Sequence, residues 1–398
     1  ISEYASVRDI FEESVGKYAA RPSFTCLGKS ITFRELDTLS AAFGSFLQAN
    51  GCGKGTRVAL VMANILQYPL CLFGILRAGC TVVNVNPLYT ARELEHQLVD
   101  SGAQVLVVVE NFAHTVQDVI GKTKKLRRVV VTSIGELLGF RGIAVDLAIR
   151  HVKKMVPKWH LPDSIKLSDA LSDGRRRTLE RIGIGHEDIA FLQYTGGTTG
   201  VAKGAILLHR NIVANLLQAR AWLRPFLGDR REVIITPLPL YHIFSLTANC
   251  LVFMTLGGEN ILIPNPRDIP GFVKEMARHR FTAFTGVNTL FNALVNNDDF
   301  ARLDFTALRI TLGGGMAVQE AVAVKWKNVT GCTLVEAYGL TETSPAALVN
   351  PLDIPAYNGT IGLPIPSTDV VLRGHAGKDL PLGQPGEICI PGPQVMGG

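Results

Sequence analysis

From Thr56 onward the chain switches repeatedly between two hydrophobic periods, and that alternation limits its fold more than any other feature. RVALVMA is a continuous apolar run of strand length, QYPLCLFGILRAG has helical spacing and a glycine stop, and TVVNVNP reads as a strand again. TARELEHQLVDSG follows, with Thr90 and Glu93 in capping-box spacing and Gly102 at its end, and then the apolar strand AQVLVVVE. This β-α-β-α-β order calls for a mainly parallel sheet covered by helices on both faces. The pattern restarts at REVIITPLP. A helix after Phe244 comes next, then ENILIP, RDIPGFVKEMARHR, FTAFTGV, NTLFNALVNN, LRITLGG, MAVQEAVAVKWKNVTG and TLVEAYG. Beyond about Thr343 proline and glycine become dense, and strands such as TDVVLR and GEICI are short. The expected class is α/β. Two mainly parallel sheets flanked by helices would span 1–190 and 191–343, with a small C-terminal β-rich, barrel-like subdomain at 344–398.

A chain of 398 residues exceeds what one hydrophobic core normally supports, which agrees with two packed units. The net charge of +6 is modest. The basic clusters at Lys124, Lys125, Arg127 and Arg128, and at Arg175, Arg176 and Arg177, carry no interleaved aromatics, so no nucleic-acid partner is expected. Seven scattered cysteines form no CxxC pair and sit largely in apolar runs, as buried thiols of a reducing, cytoplasmic compartment do. The start at ISEYASVRD, without methionine or a signal pattern, reads as a fragment or trimmed chain.

The most unusual local composition is YTGGTTGVAKG, Tyr194 to Gly204, with four glycines, three threonines and one lysine. Exposed backbone N–H groups, hydroxyls and a cation suit a polyphosphate; a loop with a solvated lysine is the alternative. The spacing is not that of a P-loop, because Ala202 precedes Lys203 and Gly204 follows it. Apolar runs on both sides predict that the turn joins two strands. PLYHIF, GGGM and EAYGLTET each follow a predicted strand, and so should meet at one sheet edge. Gly313, Gly314 and Gly315 would offer a flat backbone surface and Tyr338 a stacking ring. Thr341 would offer a hydroxyl, Glu342 an oxygen ligand for Mg²⁺, and His242 a hydrogen bond to a small anion.

In this order the four motifs resemble the adenylate-forming superfamily of acyl-CoA synthetases, adenylation domains and luciferases, from about Phe33 through Gly398. NVNPLYTARELEHQL, NPRDIPG, TGVNTLFNAL and GEICIPGPQVMGG are most similar to bacterial long-chain fatty-acid–CoA ligases. The resemblance implies ATP-dependent formation of an acyl-adenylate, with AMP then displaced by coenzyme A. It assigns Thr195, Gly196, Gly197, Thr198, Thr199, Gly200 and Lys203 to the phosphates of ATP. It gives Gly313, Gly314, Gly315, Tyr338 and Gly339 to adenine, Thr341 to the α-phosphate and Glu342 to Mg²⁺. Thr198, Lys203, His242 and Glu342 take the catalytic roles, with Tyr241 and His242 beside the carboxylate. Phe244, Leu246, Val287 and Leu290 are expected along the acyl tail. The family's small C-terminal domain is absent from these residues, so poor activity of the chain alone is expected. The Phe-Asp anchor of amino-acid adenylation domains is missing near PLYHIF. A non-catalytic acyl- or nucleotide-binding module remains an alternative.

GFRGIAVDLAIRHVKKMVPKW, residues 139–159, places Phe140, Ile143, Leu147, Met155 and Trp159 near one helical face and Arg150, Lys153 and Lys154 toward the other. Such a helix either lies on an anionic membrane surface, making the protein peripheral there, or packs on its own protein with a solvated basic face.

Overall fold

The computed structural model describes residues 2–196, 201–227, 231–375 and 377–398. Two sheets dominate. The smaller has seven strands in the spatial order Ile165–Lys166, Arg128–Thr132, Val105–Val109, Arg57–Val61, Thr81–Val85, Ile189–Thr195, Lys203–Leu208. All neighbours are parallel except the last pair. Thr81–Val85 and Val105–Val109 are buried at every position, which is why they read as apolar runs, the second unbroken and the first interrupted by Asn84.

The larger sheet has nine strands, ordered Leu363–Pro364, Ala346–Val349, Leu334–Gly339, Ile310–Gly313, Ala283–Gly286, Val233–Thr236, Glu259–Leu262, Pro22–Cys26, Lys29–Thr32. From Leu334–Gly339 across to Pro22–Cys26 the neighbours are parallel.

Helices fill three layers. Helices Ala91–Ser101 and Ala113–Val119 cover the outer face of the smaller sheet, and Ile269–Met276, Asn288–Val295 and Glu320–Thr330 that of the larger. Between the sheets lie Val7–Lys17, Phe33–Ala49, Gln67–Arg77, His209–Leu223 and the helical segment from Ile243 to Thr255. One continuous core, including Phe11, Phe43, Phe73 and Leu246, fills this middle layer. Thr90 and Glu93 form the expected capping box, and Gly102 ends that helix at φ +63°.

Three expectations need correction. A boundary at 190/191 does not separate the sheets. The hairpin Pro22–Thr32 belongs to the larger sheet, whereas both strands flanking the glycine-threonine turn close the edge of the smaller one. The C-terminal part is β-rich as expected, but among the described residues it closes no barrel: Ala346–Val349 and Leu363–Pro364 extend the larger sheet, and Val371–Arg373 pairs with Glu387–Cys389. Strands of two to four residues interrupted by proline and glycine supply too little pairing to close one. Third, residues 139–159 are not one helix. Phe140–Leu147 is α-helical, wider i→i+5 turns continue to Val152, and Lys154 at φ +51° ends the run. Among the described residues no helix is long and apolar enough to cross a membrane.

Candidate active site

The carboxyl ends of the parallel strands of both sheets face one crevice. Val233–Thr236 leads into the 238–242 loop, Ile310–Gly313 into Gly314 and Gly315, and Leu334–Gly339 into the turn Thr341–Thr343. From the smaller sheet, Ile189–Thr195 delivers Thr195 and Gly196. A cavity of about 900 Å³ joins these groups. Thr195, Gly196, Tyr241, His242, Phe244, Gly314, Gly315, Tyr338, Gly339, Thr341 and Glu342 all line it. Gly197, Thr198, Thr199 and Gly200 lie outside the described residues. Lys203 is exposed and stands opposite Thr195 in the antiparallel pair.

The glycine-threonine turn is held by its stems. Gly204 lies against the Tyr194 ring so closely that a Cβ would come within 2.9 Å of it. The Tyr194 hydroxyl donates to Asp100 (2.5 Å), and His96 Nε2 donates to the Ala202 carbonyl (3.0 Å). On the opposite lip the Met396 amide donates to the Glu342 carbonyl (2.8 Å).

His242 opens into the cavity but is walled by protein, and this desolvation holds its pKa below the ordinary imidazole value. Its Nδ1 accepts from the Phe244 amide (3.3 Å), so the neutral ring carries its proton on Nε2 as a donor. The loop behind it is fixed by buried amides. Gln193 Nε2 donates to the Tyr241 carbonyl (2.6 Å), and Asn84 Nδ2 to Gln193 Oε1 (3.0 Å). The Leu240 amide donates to Asn64 Oδ1 (2.8 Å), and the Tyr68 hydroxyl to the Leu240 carbonyl (2.8 Å). Sequence reasoning missed these residues. Their signal is a polar side chain inside an apolar strand run, as at Asn84 in TVVNV and Gln193 in FLQYT.

Five expected positions do not line the cavity: Lys203, exposed on its edge strand, and four glycine or apolar positions. A Cβ at Gly313 would meet Val318 and Leu334, so this glycine faces the outer core. Leu246 is fully buried in the middle layer, Leu290 packs on the outer core, and Val287 lies beyond Gly315. The apolar arm of the cavity instead runs between the larger sheet and helix His209–Leu223. Asn215, Ala219, Trp222 and Leu223 face it at i, i+4, i+7 and i+8. Val252 and Phe253 form another wall. Main-chain donors, hydroxyls and one carboxylate at a mouth, with a deep apolar arm behind, suit a ligand with a polyanionic head and a long apolar tail.

A family model described as AMP-binding enzyme matches residues 11–398. The chain is 55% identical over 395 residues to a long-chain-fatty-acid–CoA ligase of Escherichia coli O6:H1, covering 99% of this chain and 70% of that protein. It is 32% identical over 402 residues to the ligase of that name from Bacillus subtilis, with the same two coverages. A crystal structure of a long-chain-fatty-acid–CoA ligase from Archaeoglobus fulgidus superposes with a TM-score of 0.83 at 24% identity, over 99% of this chain and 76% of that one. An anthranilate CoA ligase in complex with anthranoyl-AMP gives 0.85 at 23%, over 99% and 71%.

Proposed function

The chain belongs to the AMP-binding enzyme family, and on that basis we propose that it activates long-chain fatty acids with ATP for transfer to coenzyme A. A carboxylate oxygen attacks the α-phosphorus of ATP, the bond to pyrophosphate breaks, and an acyl-adenylate forms. The sulfur of coenzyme A then attacks the acyl carbon, AMP leaves, and a thioester results. The observation that carries this reading is one continuous cavity with a polar mouth and an apolar arm, with His242 near their junction.

The residues divide by chemistry. Thr195, Gly196 and Lys203, with Gly197, Thr198, Thr199 and Gly200, would hold the β- and γ-phosphates. Gly314, Gly315, Gly339 and Tyr338 would enclose adenine, and Thr341 would touch the α-phosphate. Such donors act by fixing the phosphates in line and offsetting the charge that gathers there. The Nε2–H of His242 would orient the substrate carboxylate, with the backbone of Tyr241 holding the loop beside it. Among the described residues no three acidic, histidine or cysteine side chains cluster, so the protein offers Mg²⁺ one carboxylate, Glu342, at the mouth. That fits a cation bound chiefly through substrate phosphates, where it would neutralise their charge.

Exchange of labelled pyrophosphate into ATP tests the reading. Exchange is expected to require a fatty acid and to be strongest with long chains; exchange that is indifferent to the acid, or best with acetate, overturns it.

A second surface supports contact with an anionic bilayer. Helix Phe140–Leu147 turns Phe140 (96% exposed), Ile143 (65%) and Leu147 (51%) outward, with Val152 and Met155 exposed just beyond. Lys153, Lys154 and Lys158 border these residues in the chain, the pattern of an interfacial helix.

A further inference from the structure

The two lips of the mouth belong to different sheets, and a short strap joins them. Strand Lys203–Leu208 is the edge of the smaller sheet and forms the far stem of the glycine-threonine turn. The turn Thr341–Thr343, which carries Glu342, follows strand Leu334–Gly339 of the larger sheet. Residues 393–398 run between them. On one side the Gly397 amide donates to the Ile206 carbonyl (2.9 Å) and the Ile206 amide to the Gly398 carbonyl (2.8 Å), so the strap covers the free edge of that strand. Gly397 lies close enough to Leu208 that a Cβ would come within 3.2 Å of its side chain. On the other side the Met396 amide donates to the Glu342 carbonyl (2.8 Å), and the Ser344 hydroxyl to the Gln394 carbonyl (2.9 Å).

Helix His209–Leu223 anchors the strap. Asn211, in its first turn, accepts from the Leu208 amide through Oδ1 (3.0 Å), and its Nδ2 donates to both the Pro393 and the Val395 carbonyls (3.0 and 2.7 Å). Two turns on, Gln218 Nε2 donates to Gln394 Oε1 (3.1 Å), and Gln394 Nε2 donates to the Thr368 hydroxyl (2.7 Å). Asn211 and Gln394 are fully buried, so lifting the strap would strand their amides away from water. Its carbonyls are spent in alternation on Asn211 and Ser344, and its N–H groups on Glu342 and Ile206, which leaves it little freedom to slide. Neither Asn211 nor any residue of 393–398 lines the cavity. The strap therefore acts on a ligand only through the elements it joins.

We propose that Asn211 and the strap are positioning elements that set the gap between the phosphate-holding turn and the Glu342 carboxylate, and so fit the mouth to the magnesium complex of a nucleoside triphosphate. This rests on the reading of the mouth as an ATP site. Mg²⁺ demands near-ideal octahedral geometry, so a lone protein carboxylate that is free to drift relative to the phosphates holds it poorly.

Calorimetric titration with ATP, in excess Mg²⁺ and in EDTA, tests it on wild type, Asn211→Asp and Gly397→Pro. Asn211→Asp keeps the size of the side chain and its bond from Leu208 but loses both donor contacts to the strap. Gly397→Pro, at an exposed position, removes the N–H that bonds Ile206 and leaves the core untouched. Each should weaken binding in Mg²⁺ by about 10- to 100-fold, the usual effect of removing a partner behind a metal ligand. The loss should be much smaller in EDTA, and the affinity for palmitate should stay at the wild-type value. Unchanged affinity for ATP with Mg²⁺ in Gly397→Pro overturns the proposal while leaving the ATP reading intact, whether or not Asn211→Asp folds. An equal loss with and without Mg²⁺ overturns it too, as does a parallel loss of palmitate affinity in both variants. A wild-type protein that binds no ATP overturns the reading and the proposal together.

Discussion

At the scale of single residues, His242 shows how a local bond decides chemistry. Because Nδ1 accepts from the Phe244 amide, Nε2–H is the group presented to a carboxylate. A hydrogen bond to a charged partner contributes about 1.5–3 kcal/mol. His242→Ala should therefore weaken fatty-acid binding by about 10- to 100-fold, and His242→Gln, which retains an N–H donor, should recover part of it. Calorimetric titration with palmitate checks this; equal affinity of wild type and the Ala variant would remove His242 from the site. Thr195, Gly196, Gly314, Gly315 and Thr341 at the mouth were legible in the sequence because glycine and threonine announce their chemistry by composition. Leu246, Val287 and Leu290 were not, since an apolar side chain serves a core and a channel equally well. Only the side of the strand or helix it occupies distinguishes the two.

At the scale of elements, helix Phe140–Leu147 is oriented by close packing on its inner side. A Cβ at Gly142 would come within 1.8 Å of the Gly135 carbonyl, and Asp146 accepts from the Ser133 hydroxyl (2.6 Å) and the Gly135 amide (2.8 Å). Those contacts leave the Phe140, Ile143 and Leu147 side facing outward. Burying a large apolar side chain contributes about 1.5–3 kcal/mol, so replacing two should weaken partitioning into a bilayer at least tenfold. Vesicles of phosphatidylglycerol are expected to sediment with the wild-type chain, and far less with a Phe140→Ser, Ile143→Ser variant. Equal sedimentation of the two, or none with wild type, would rule the contact out. Periodicity identified this element but not its length, because nothing in the spacing of apolar residues signals the left-handed backbone at Lys154. It identified most of the central parallel strands from Arg57 onward, but neither their partners nor the strands before Thr56. Pro22–Cys26 is a short strand whose parallel neighbour, Glu259–Leu262, lies far along the chain, where no local pattern points to it.

At the scale of the molecule, His209 links two helices of the middle layer. Its Nδ1 accepts from the Val7 amide (3.1 Å), joining helix Val7–Lys17 to the start of helix His209–Leu223. Burial, opposed by Asp188, pushes its pKa down to about 4 from 6.5. The unfolded chain therefore binds the extra proton first, and the contribution is fully present above the unfolded value. It is lost as pH falls from 6.5 through 4, by about 3 kcal/mol. Thermal midpoints measured between pH 7 and 4 should fall, and His209→Asn, which keeps an acceptor without titrating, should flatten that fall. An identical slope in the variant would assign the acid sensitivity elsewhere.

The hairpin Pro22–Thr32 carries a consequence for biosynthesis. It leaves the ribosome well before the strand it must join, Glu259–Leu262, which is encoded more than 200 residues later. At about 5–20 residues per second that interval lasts on the order of ten seconds or more. Throughout it the nascent hairpin presents the apolar residues Phe24, Cys26 and Ile31, all buried in the finished protein, without their eventual cover. Holding factors at the tunnel exit thus have a defined client in the hairpin Pro22–Thr32, and release becomes productive only once Glu259–Leu262 has emerged.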